Sequence, residues 1–290
     1  MKIINMLGGL GNQMFEYAFA LALKKHYPGE EILLDIHHLK TLYDYGFELK
    51  TVFPDIDYQL ASKTQIRKVS RYLPNYKASR IVRRLLPPRK CEYVERKQDV
   101  FDPNVFKQNG DVYFEGYWHA YEYYQDILDE IQDAFTQKKP NEYNQSMAQR
   151  ISASNTVGIH VRRGDYLKAQ NAKFSQSCGK DYYAKAIALL KESGKDYHYY
   201  FFSNDMEWCE NEIVPLLNPS DYTFVTENKG INSCWDMYLM SQCENLIIAN
   251  SSFSWWGALL NKRTPNVYAP KMWKIGVPSD SICPLEWTLI

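Results

Sequence analysis

The sequence lacks the features that define several large classes of protein. No window approaches 18 uninterrupted apolar residues, so no segment reads as a transmembrane span. Basic and acidic side chains number 34 each, and this balance gives the chain no general bias toward nucleic acid. Polar residues and glycines from Gly8 onward interrupt the apolar start before a signal-peptide core could form. Since 45% of the residues are apolar, we expect a globular protein. From the charge balance and the interrupted N-terminus, we expect no nucleic-acid partner and no secretion.

Paired cysteines and nucleotide fingerprints are missing as well. The six cysteines form no C-x-x-C pair and show no histidine spacing typical of zinc, which indicates reduced thiols in the cytoplasm and no structural metal. No G-x-x-x-x-G-K-[ST] occurs, which argues against a P-loop NTPase. Gly9-x-Gly11 is followed by Met14 where a dinucleotide fingerprint has its third glycine.

Acidic residues are absent between Asp57 and Glu92, while ten lysines and arginines accumulate there. Apolar residues spaced along the same stretch predict two short amphipathic helices, broken at Pro74 and ended at Pro87. This basic helical insert, about 60–90, is either an ordinary solvated surface, a contact with an anionic membrane surface, or a contact with a phosphate-linked lipid substrate.

The start of the chain predicts a strand over 2–7, a glycine turn, and a helix from Asn12 to His26. Glycines there would let backbone amides and nearby side chains approach a ligand at the helix N-terminus. The four residues concerned are Gly9, Gly11, Asn12 and Gln13. A plain turn with Asn12 as N-cap is the alternative.

A second strand, predicted over 31–36, ends near Asp35 and His37. These are the ionisable residues of the first half that are placed like a general base, although they could equally be surface residues.

The segment 138–156 is polar and predicts a linker, with a domain boundary near 150. We therefore expect an acceptor-side α/β domain over 1–150 and a second domain over 151–290. After 156 the predicted strands and helices alternate regularly, which is typical of a doubly wound parallel α/β domain.

Polar residues follow the predicted strands of this second half, where parallel sheets bind their ligands. Arg162 and Arg163 end its first strand, and either they meet an anion or Arg163 forms an internal ion pair with Asp165. The amides of Ser252 and Phe253 would lie at a helix N-terminus, a geometry that suits phosphate. The candidate rim consists of His160, Arg162, Arg163, Asp165, Ser203, Asn204, Asp205, residues 226–228, Asn250, Ser251, Ser252 and Phe253. It favours a metal-free nucleotide-sugar site.

Four blocks of sequence resemble the motifs of the α-1,2-fucosyltransferases of glycosyltransferase family 11. They are GGLGNQMFEYAFALAL from Gly8, HVRRGDY from His160, FFSNDMEWC from Phe201 and WDMYLMSQCENLIIANSSFSWWGALL from Trp235. The resemblance implies a GT-B-like α/β fold with two Rossmann-like domains facing a cleft. It also implies GDP-fucose held mainly by the C-terminal domain, and inverting transfer with no metal or other cofactor.

The same resemblance implies individual roles. Arg162 would bind the β-phosphate and stabilise the leaving group, while Asn12 would approach the donor across the cleft from the N-terminal domain. His160 and Asp165 would order the loop, with Arg163 and Asp165 as a supporting pair. The diphosphate would be held by Ser251, Ser252 and Phe253, and guanine by Asp236; Asp205 stands where relatives can have glycine, which leaves its role open.

The resulting expectation is transfer of L-fucose from GDP-β-L-fucose to the 2-hydroxyl of a terminal galactoside, in an oligosaccharide or a lipid-linked glycan. Another fucosyl linkage, such as α-1,6, and a non-enzymatic carbohydrate-binding protein are the alternatives. Because the Golgi members carry an anchor and this chain shows none, the resemblance favours a bacterial enzyme. We expect it in the cytoplasm, with the basic insert as a candidate contact with the inner face of the membrane.

Overall fold

The computed structural model describes residues 1–39, 46–71, 73, 75–153, 155–164, 166–167, 177–217 and 222–290, and of Arg83 the backbone alone. The chain divides into two compact units, Met1–Lys138 and Lys139–Ile290. In the described part of the chain, no helix is long and apolar enough to cross a membrane.

The first unit is built on a parallel sheet. In order across the sheet, the described strands are β3 (Gln59–Leu60), β2 (Ile32–Asp35), β1 (Lys2–Asn5), β5 (Val112–Glu115) and β4 (Glu92–Val94). β1 pairs with β2 on one side and with β5 on the other, so the strand order reverses between β1 and β5. Ligands of open parallel sheets bind outside the carboxyl ends of the strands at such a switch point.

Helices cover this sheet. They are α1 (Leu10–His26), α2 (Leu49–Val52), α3 (Lys63–Val69), α4 (Tyr76–Leu85) and α5 (Leu128–Ala134). α1 buries most of its surface because apolar side chains surround it, and Phe19 stacks on Trp118 with ring centroids 4.3 Å apart. The two helices predicted for the basic insert correspond to α3 and α4. Each begins at a capped residue, Ser62 and Asn75, whose side chains accept backbone hydrogen bonds.

The second unit also contains a parallel sheet. Its described strands are, in spatial order, β13 (Thr288–Leu289), β10 (Asn266–Ala269), β9 (Asn245–Ile247), β6 (Thr156–Val161), β7 (His198–Ser203) and β8 (Tyr222–Phe224). β6 is buried at every position, which its apolar and β-branched sequence explains. The order reverses between β6 and β9, as in a Rossmann sheet.

The helices of this unit are α6 (Glu142–Ser152), α7 (Lys180–Lys191), α8 (Met206–Trp208), α9 (Cys234–Met240) and α10 (Ser252–Leu259). β11 (Met272–Lys274) and β12 (Val277–Pro278) form a separate antiparallel ribbon. The alternation of strands and helices predicted for this half is confirmed.

The linker predicted over 138–156 is wrong, because α6 occupies most of it. Asn141 caps this helix, and its buried Asn144 exchanges side-chain hydrogen bonds with Asn228 of the second unit. The division therefore falls after Lys138 rather than near 150. A polar composition misled the prediction because a surface helix needs only a narrow apolar stripe, here Met147, Ala148 and Ile151.

The helical segment that begins with α8 is irregular. α8 passes into a π-helical turn over Cys209–Ile213 and then a 3-10 turn over Val214–Leu216. Pro215 lacks an amide hydrogen and cannot continue an α-helix, which explains the change.

Candidate functional site

In each sheet, polar groups cluster at the switch point, along the edge formed by the carboxyl ends of the strands. In the second unit, the edge begins with His160, which lies near the end of β6 and is 5% exposed. Burial, and then the positive charge of Arg162, lowers the pKa of His160 to about 3, so the imidazole is neutral at physiological pH. Its Nδ1 is buried and has no hydrogen-bond partner among the described residues. A neutral, unsatisfied ring nitrogen at this edge suits a ligand that supplies the missing hydrogen bond.

Arg162 follows β6 directly and is half-buried. Its guanidinium carbon lies 5.9 Å from the ring centroid of Tyr166, whose hydroxyl donates to the backbone carbonyl of Asn250 (3.0 Å). Tyr166 thereby connects the loop after β6 to the loop after β9. Arg162 therefore lies on the side of β6 that faces β9, where the strand order reverses.

The Arg163 side chain lies on the side of β6 that faces β7. Its Nε donates to Asp205 Oδ2 (3.2 Å), its guanidinium carbon lies 4.2 Å from the ring centroid of Trp208, and its amide donates to Asn204 Oδ1 (3.0 Å). Asp205 is therefore an observed partner of Arg163, and the expected pair with Asp165 stays a prediction because Asp165 lies outside the described residues. Neighbouring strands explain this, because β7 ends beside β6 and delivers Asp205 to the guanidinium.

Asp205 also accepts from the amide of Trp208 (3.2 Å) and donates its own amide to Ser203 Oγ (2.9 Å). Ser203, Asn204 and Asp205 thus build the loop that holds Arg163. A Cβ at Gly164 would come 2.9 Å from Asn204 Nδ2, so a larger residue there would displace the Asn204 side chain.

The loop after β9 leads into the N-terminus of α10. Asn250 Nδ2 donates to the carbonyl of Trp273 (2.9 Å), which holds the loop. Ser251 is the N-cap but its side chain accepts no capping hydrogen bond among the described residues. The amides of the first helical turn, at Ser252 and Phe253, are therefore placed to receive an anion. The Phe253 ring lies 6.0 Å from that of His160, so this helix start and the end of β6 share one edge.

Asp236 lies on α9, in the same unit. Burial raises the pKa of its carboxyl to about 7, and a hydrogen bond from Asn228 Nδ2 (2.9 Å) partly opposes the rise. Asn228 is held in turn by Asn144 of α6. A buried carboxylate with a fixed orientation is the group that would accept the two N–H donors of guanine.

In the first unit, the glycine turn is rigid. Gly8 has φ of +77°, and Gln13, which is fully buried, donates to the carbonyls of Gly8 (3.0 Å) and Gly46 (2.9 Å). Its Oε1 accepts from the amide of Glu48 (2.9 Å). Gln13 thus positions the turn rather than facing a ligand. Gly9 caps α1, Gly11 lies in its first turn, and Asn12 is half-buried beside them.

Asn12 contacts a buried pair, His119 and Asp99, that the sequence did not reveal. Its Oδ1 lies 3.3 Å from Nε2 of His119, and Nδ1 of His119 lies 2.5 Å from Oδ1 of Asp99. His119 is 4% exposed and Asp99 is fully buried with φ of +66°. A buried carboxylate fixes the tautomer and orientation of an imidazole, as in many acid–base sites.

Glu95 lies close to this pair. Its Oε2 accepts from the amide of Tyr117 (2.9 Å), and burial raises its pKa, an effect that the nearby His119 partly opposes. The signal for this cluster was available, because His119 follows β5 as the arginines follow β6. The sequence does not reveal the pair itself, because Asp99 lies 20 positions before His119 and only the fold brings the two side chains together.

Asp35 and His37 also form a pair. Asp35 is fully buried; its Oδ1 lies 2.8 Å from His37 Nδ1, and its Oδ2 accepts from the hydroxyl of Tyr113 (2.8 Å). Asp35 therefore orients His37. No group of three or more His, Cys, Asp or Glu residues that could hold a metal ion occurs within the described ranges.

The comparison with known families decides the affiliation. Residues 1–275 match the family model of glycosyl transferase family 11. The chain belongs to glycosyltransferase family 11. The resemblance seen in the four motif blocks is thereby confirmed, and so is the prediction that the chain is a glycosyltransferase.

Known glycosyltransferases are similar to this chain over most of its length. The α-1,2-colitosyltransferase of Escherichia coli is 30% identical over 302 residues, covering 99% of this chain and 98% of the relative. Human galactoside α-(1,2)-fucosyltransferase 1 is 24% identical, covering 87% of this chain and 63% of the relative. A variant of Arabidopsis thaliana FUT1, solved in complex with GDP, superposes with a TM-score of 0.52 at 14% identity, covering 97% of this chain and 72% of that chain. The fold is thus of the GT-B class, as predicted.

Asp236 permits a test that does not depend on activity. Replacing it by Asn removes the cost of ionising a buried carboxyl while keeping an oxygen that can accept from Asn228. Because its folded pKa is raised above the unfolded value, wild type loses stability as pH rises from about 4 to 7. Asp236→Asn should therefore exceed wild type in free energy of unfolding by about 1 kcal/mol or more at pH 8. The advantage should shrink at pH 5, measured by urea denaturation; equal differences at both pH values would contradict the assignment.

Proposed function

We propose that this family 11 enzyme transfers L-fucose from GDP-β-L-fucose to the 2-hydroxyl of a terminal galactoside, with inversion and without a metal ion. The observation that carries the proposal is the edge between β6 and β9, where Arg162 and His160 lie beside the uncapped start of α10. Cationic, hydrogen-bonding and amide groups meet there at a Rossmann switch point, which suits the diphosphate of a nucleotide sugar.

The second unit supplies the groups for the donor. In the proposal, Arg162 binds the β-phosphate, and the amides of Ser252 and Phe253 bind the other phosphate oxygens. Asp236, once ionised, accepts from guanine. Arg163 holds the loop through Asp205 and does not itself touch the donor.

The chemistry follows from the charges. The bond between fucose C1 and the β-phosphate oxygen breaks, and the acceptor O2 forms the new bond from the opposite face of the sugar, which converts the β-linked donor into an α-linked product. Negative charge moves onto GDP as the bond breaks, and Arg162 stabilises it most strongly at that moment. The guanidinium and helix amides carry out this neutralisation in the proposal, with no metal.

The first unit supplies the acceptor groups. We place the galactose 2-hydroxyl at Nε2 of His119, which would accept its proton while Asp99 stabilises the resulting imidazolium. Asn12, 3.3 Å from that nitrogen, would orient the hydroxyl. His119 is preferred over His37 because it lies at the switch point of its sheet and contacts the glycine turn.

Colitose, which is L-fucose without its 3-hydroxyl, is the competing donor sugar, since the E. coli relative is an α-1,2-colitosyltransferase. To distinguish the two donors, the enzyme is incubated with GDP-linked fucose or GDP-linked colitose and a panel of β-galactosides, in the presence of EDTA. Linkage analysis of the product follows. We expect faster transfer of fucose, an α-1,2 bond and full activity in EDTA. A colitose preference, an α-1,6 or other linkage, or loss of activity in EDTA would each refute that part of the proposal.

Arg162→Ala should lower turnover at least about hundredfold, because it removes one preorganised group that stabilises the transition state. The measurement is kcat with saturating donor. Arg263→Ala is the matched control, since Arg263 precedes β10 at the opposite edge of the same sheet and donates to the carbonyl of Gln242. Near-normal turnover in Arg162→Ala, or equal losses in both variants, would overturn the role of Arg162.

His119→Gln should lower kcat by about 10²-fold or more while leaving GDP affinity unchanged, because it removes the proton acceptor of the acceptor site. His26→Gln, at an exposed position on α1, serves as the control. If His37→Gln lowered kcat to this extent and His119→Gln did not, the base would lie at the end of β2 instead.

Cytoplasmic location and contact with the inner face of the membrane stay predictions. Subcellular fractionation of the native host, with washing of the membrane fraction at high salt, tests both.

A further inference from the structure

A separate feature of the first unit is a cavity of about 220 Å³ beneath the basic insert. Three arginines reach it, Arg71 from the loop after α3, and Arg80 and Arg84 from α4. Leu86, Pro87 and Val94 give it an apolar wall. The cavity thus combines cationic groups with apolar surface in one small space.

The described residues offer these guanidiniums no neutralising carboxylate partner. None of the three forms an ion pair with a carboxylate of the described residues, and Nε of Arg71 is buried without a hydrogen-bond partner among them. The Arg71 Nη2 donates to the carbonyl of Pro87 at the long distance of 3.4 Å. A buried guanidinium nitrogen without a partner is costly, and an anion in the cavity would remove that cost.

Two carboxylates, Glu92 and Glu115, also line the cavity, so arginines outnumber them by three to two. The Glu92 carboxylate is already engaged, because its two oxygens accept from the amides of Arg71 (2.9 Å) and Arg89 (2.7 Å). It closes the loop between α4 and β4 rather than neutralising a guanidinium. Among the described residues, Glu115 forms no ion pair with Arg80 or Arg84 either, so the positive charge of both arginines is available to a ligand.

Apolar side chains continue outward from the cavity along α4. Ile81 is 59% exposed and Leu85 is 76% exposed. Arg80 and Arg84 are four residues apart, as are Ile81 and Leu85, so the helix carries a cationic stripe next to an apolar one. A ligand with a phosphate group followed by an apolar chain would match both stripes.

The cavity also lies at the carboxyl edge of the sheet. Val94 and Glu115, which line it, are the last residues of β4 and β5, and His119 follows only four residues after Glu115. An acceptor whose sugar meets His119 could therefore place a phosphate group near the arginines. The donor has its own proposed phosphate site in the second unit, so this cavity has no role in holding GDP.

We propose that the cavity binds the phosphate or diphosphate that joins an acceptor glycan to an apolar chain, with Arg71, Arg80 and Arg84 as its ligands. This rests on the proposed function, because it defines the class of acceptor as a lipid-linked glycan. The apolar chain lies along Ile81 and Leu85, and the terminal galactoside extends toward His119.

The test compares two acceptors with the same galactoside-terminated oligosaccharide, one as an octyl glycoside and one joined through a diphosphate to a short isoprenoid chain. For the doubly substituted Arg80→Ala, Arg84→Ala enzyme, KM for the diphosphate acceptor should rise about tenfold or more, since two charge-assisted contacts are lost. KM and kcat for the octyl glycoside should stay within about twofold of wild type. Lys77→Ala is the matched control, because Lys77 is exposed on the same helix and outside the cavity.

Equal changes with both acceptors, or no change with either, would overturn the proposal. Dodecyl phosphate binding, measured by calorimetry without any turnover, should weaken in the double variant and not in Lys77→Ala; unchanged binding would overturn it as well. If the double substitution abolished flotation with phosphatidylglycerol vesicles but left both KM values unchanged, α4 would be a membrane contact and the acceptor assignment would be wrong. Failure of wild type to fucosylate the octyl glycoside would refute the proposed function instead, and dodecyl phosphate would still test the cavity.

Discussion

The second unit depends on burying one strand, β6, completely, while charged residues follow immediately at its end. Burial keeps His160 neutral and holds the backbone before Arg162 rigid between β7 and β9. A guanidinium on such a support loses little conformational freedom when it meets an anion. The same burial leaves His160 Nδ1 without a partner among the described residues. Stability and preparation for a ligand thus come from one element.

The adjacent residues Arg162 and Arg163 have different surroundings because β6 lies between β7 and β9. Arg163 faces β7, where Asp205 and Trp208 hold it, while Arg162 lies on the side of Tyr166 and β9. The first unit repeats this arrangement with other chemistry: its switch point carries Asn12 and the buried pair of His119 and Asp99. Each unit therefore places polar groups where its own strand order reverses, with arginines in one and a buried histidine–aspartate pair in the other.

The sequence was sufficient for the parallel α/β architecture, for the rim after β6, β7 and β9, and for the family, because hydrophobic periodicity and motif blocks are local. It was insufficient wherever partners are distant. Asp205 lies 42 positions from Arg163, and Asp99 and His119 are brought together only by the path of the chain between β4 and β5. The linker prediction was wrong because α6 is polar over most of its surface. In the first half the sequence drew attention to Asp35 and His37, which lie at the end of β2, whereas His119 lies four residues beyond the end of β5.

The central claim is that the edge between β6 and β9 holds the donor diphosphate. A crystal structure of the enzyme with GDP tests it most directly. We expect the β-phosphate within hydrogen-bonding distance of the Arg162 guanidinium and of the Ser252 and Phe253 amides, with guanine at Asp236. GDP bound at the first unit, or bound at this edge with its phosphates away from Arg162, would contradict the account.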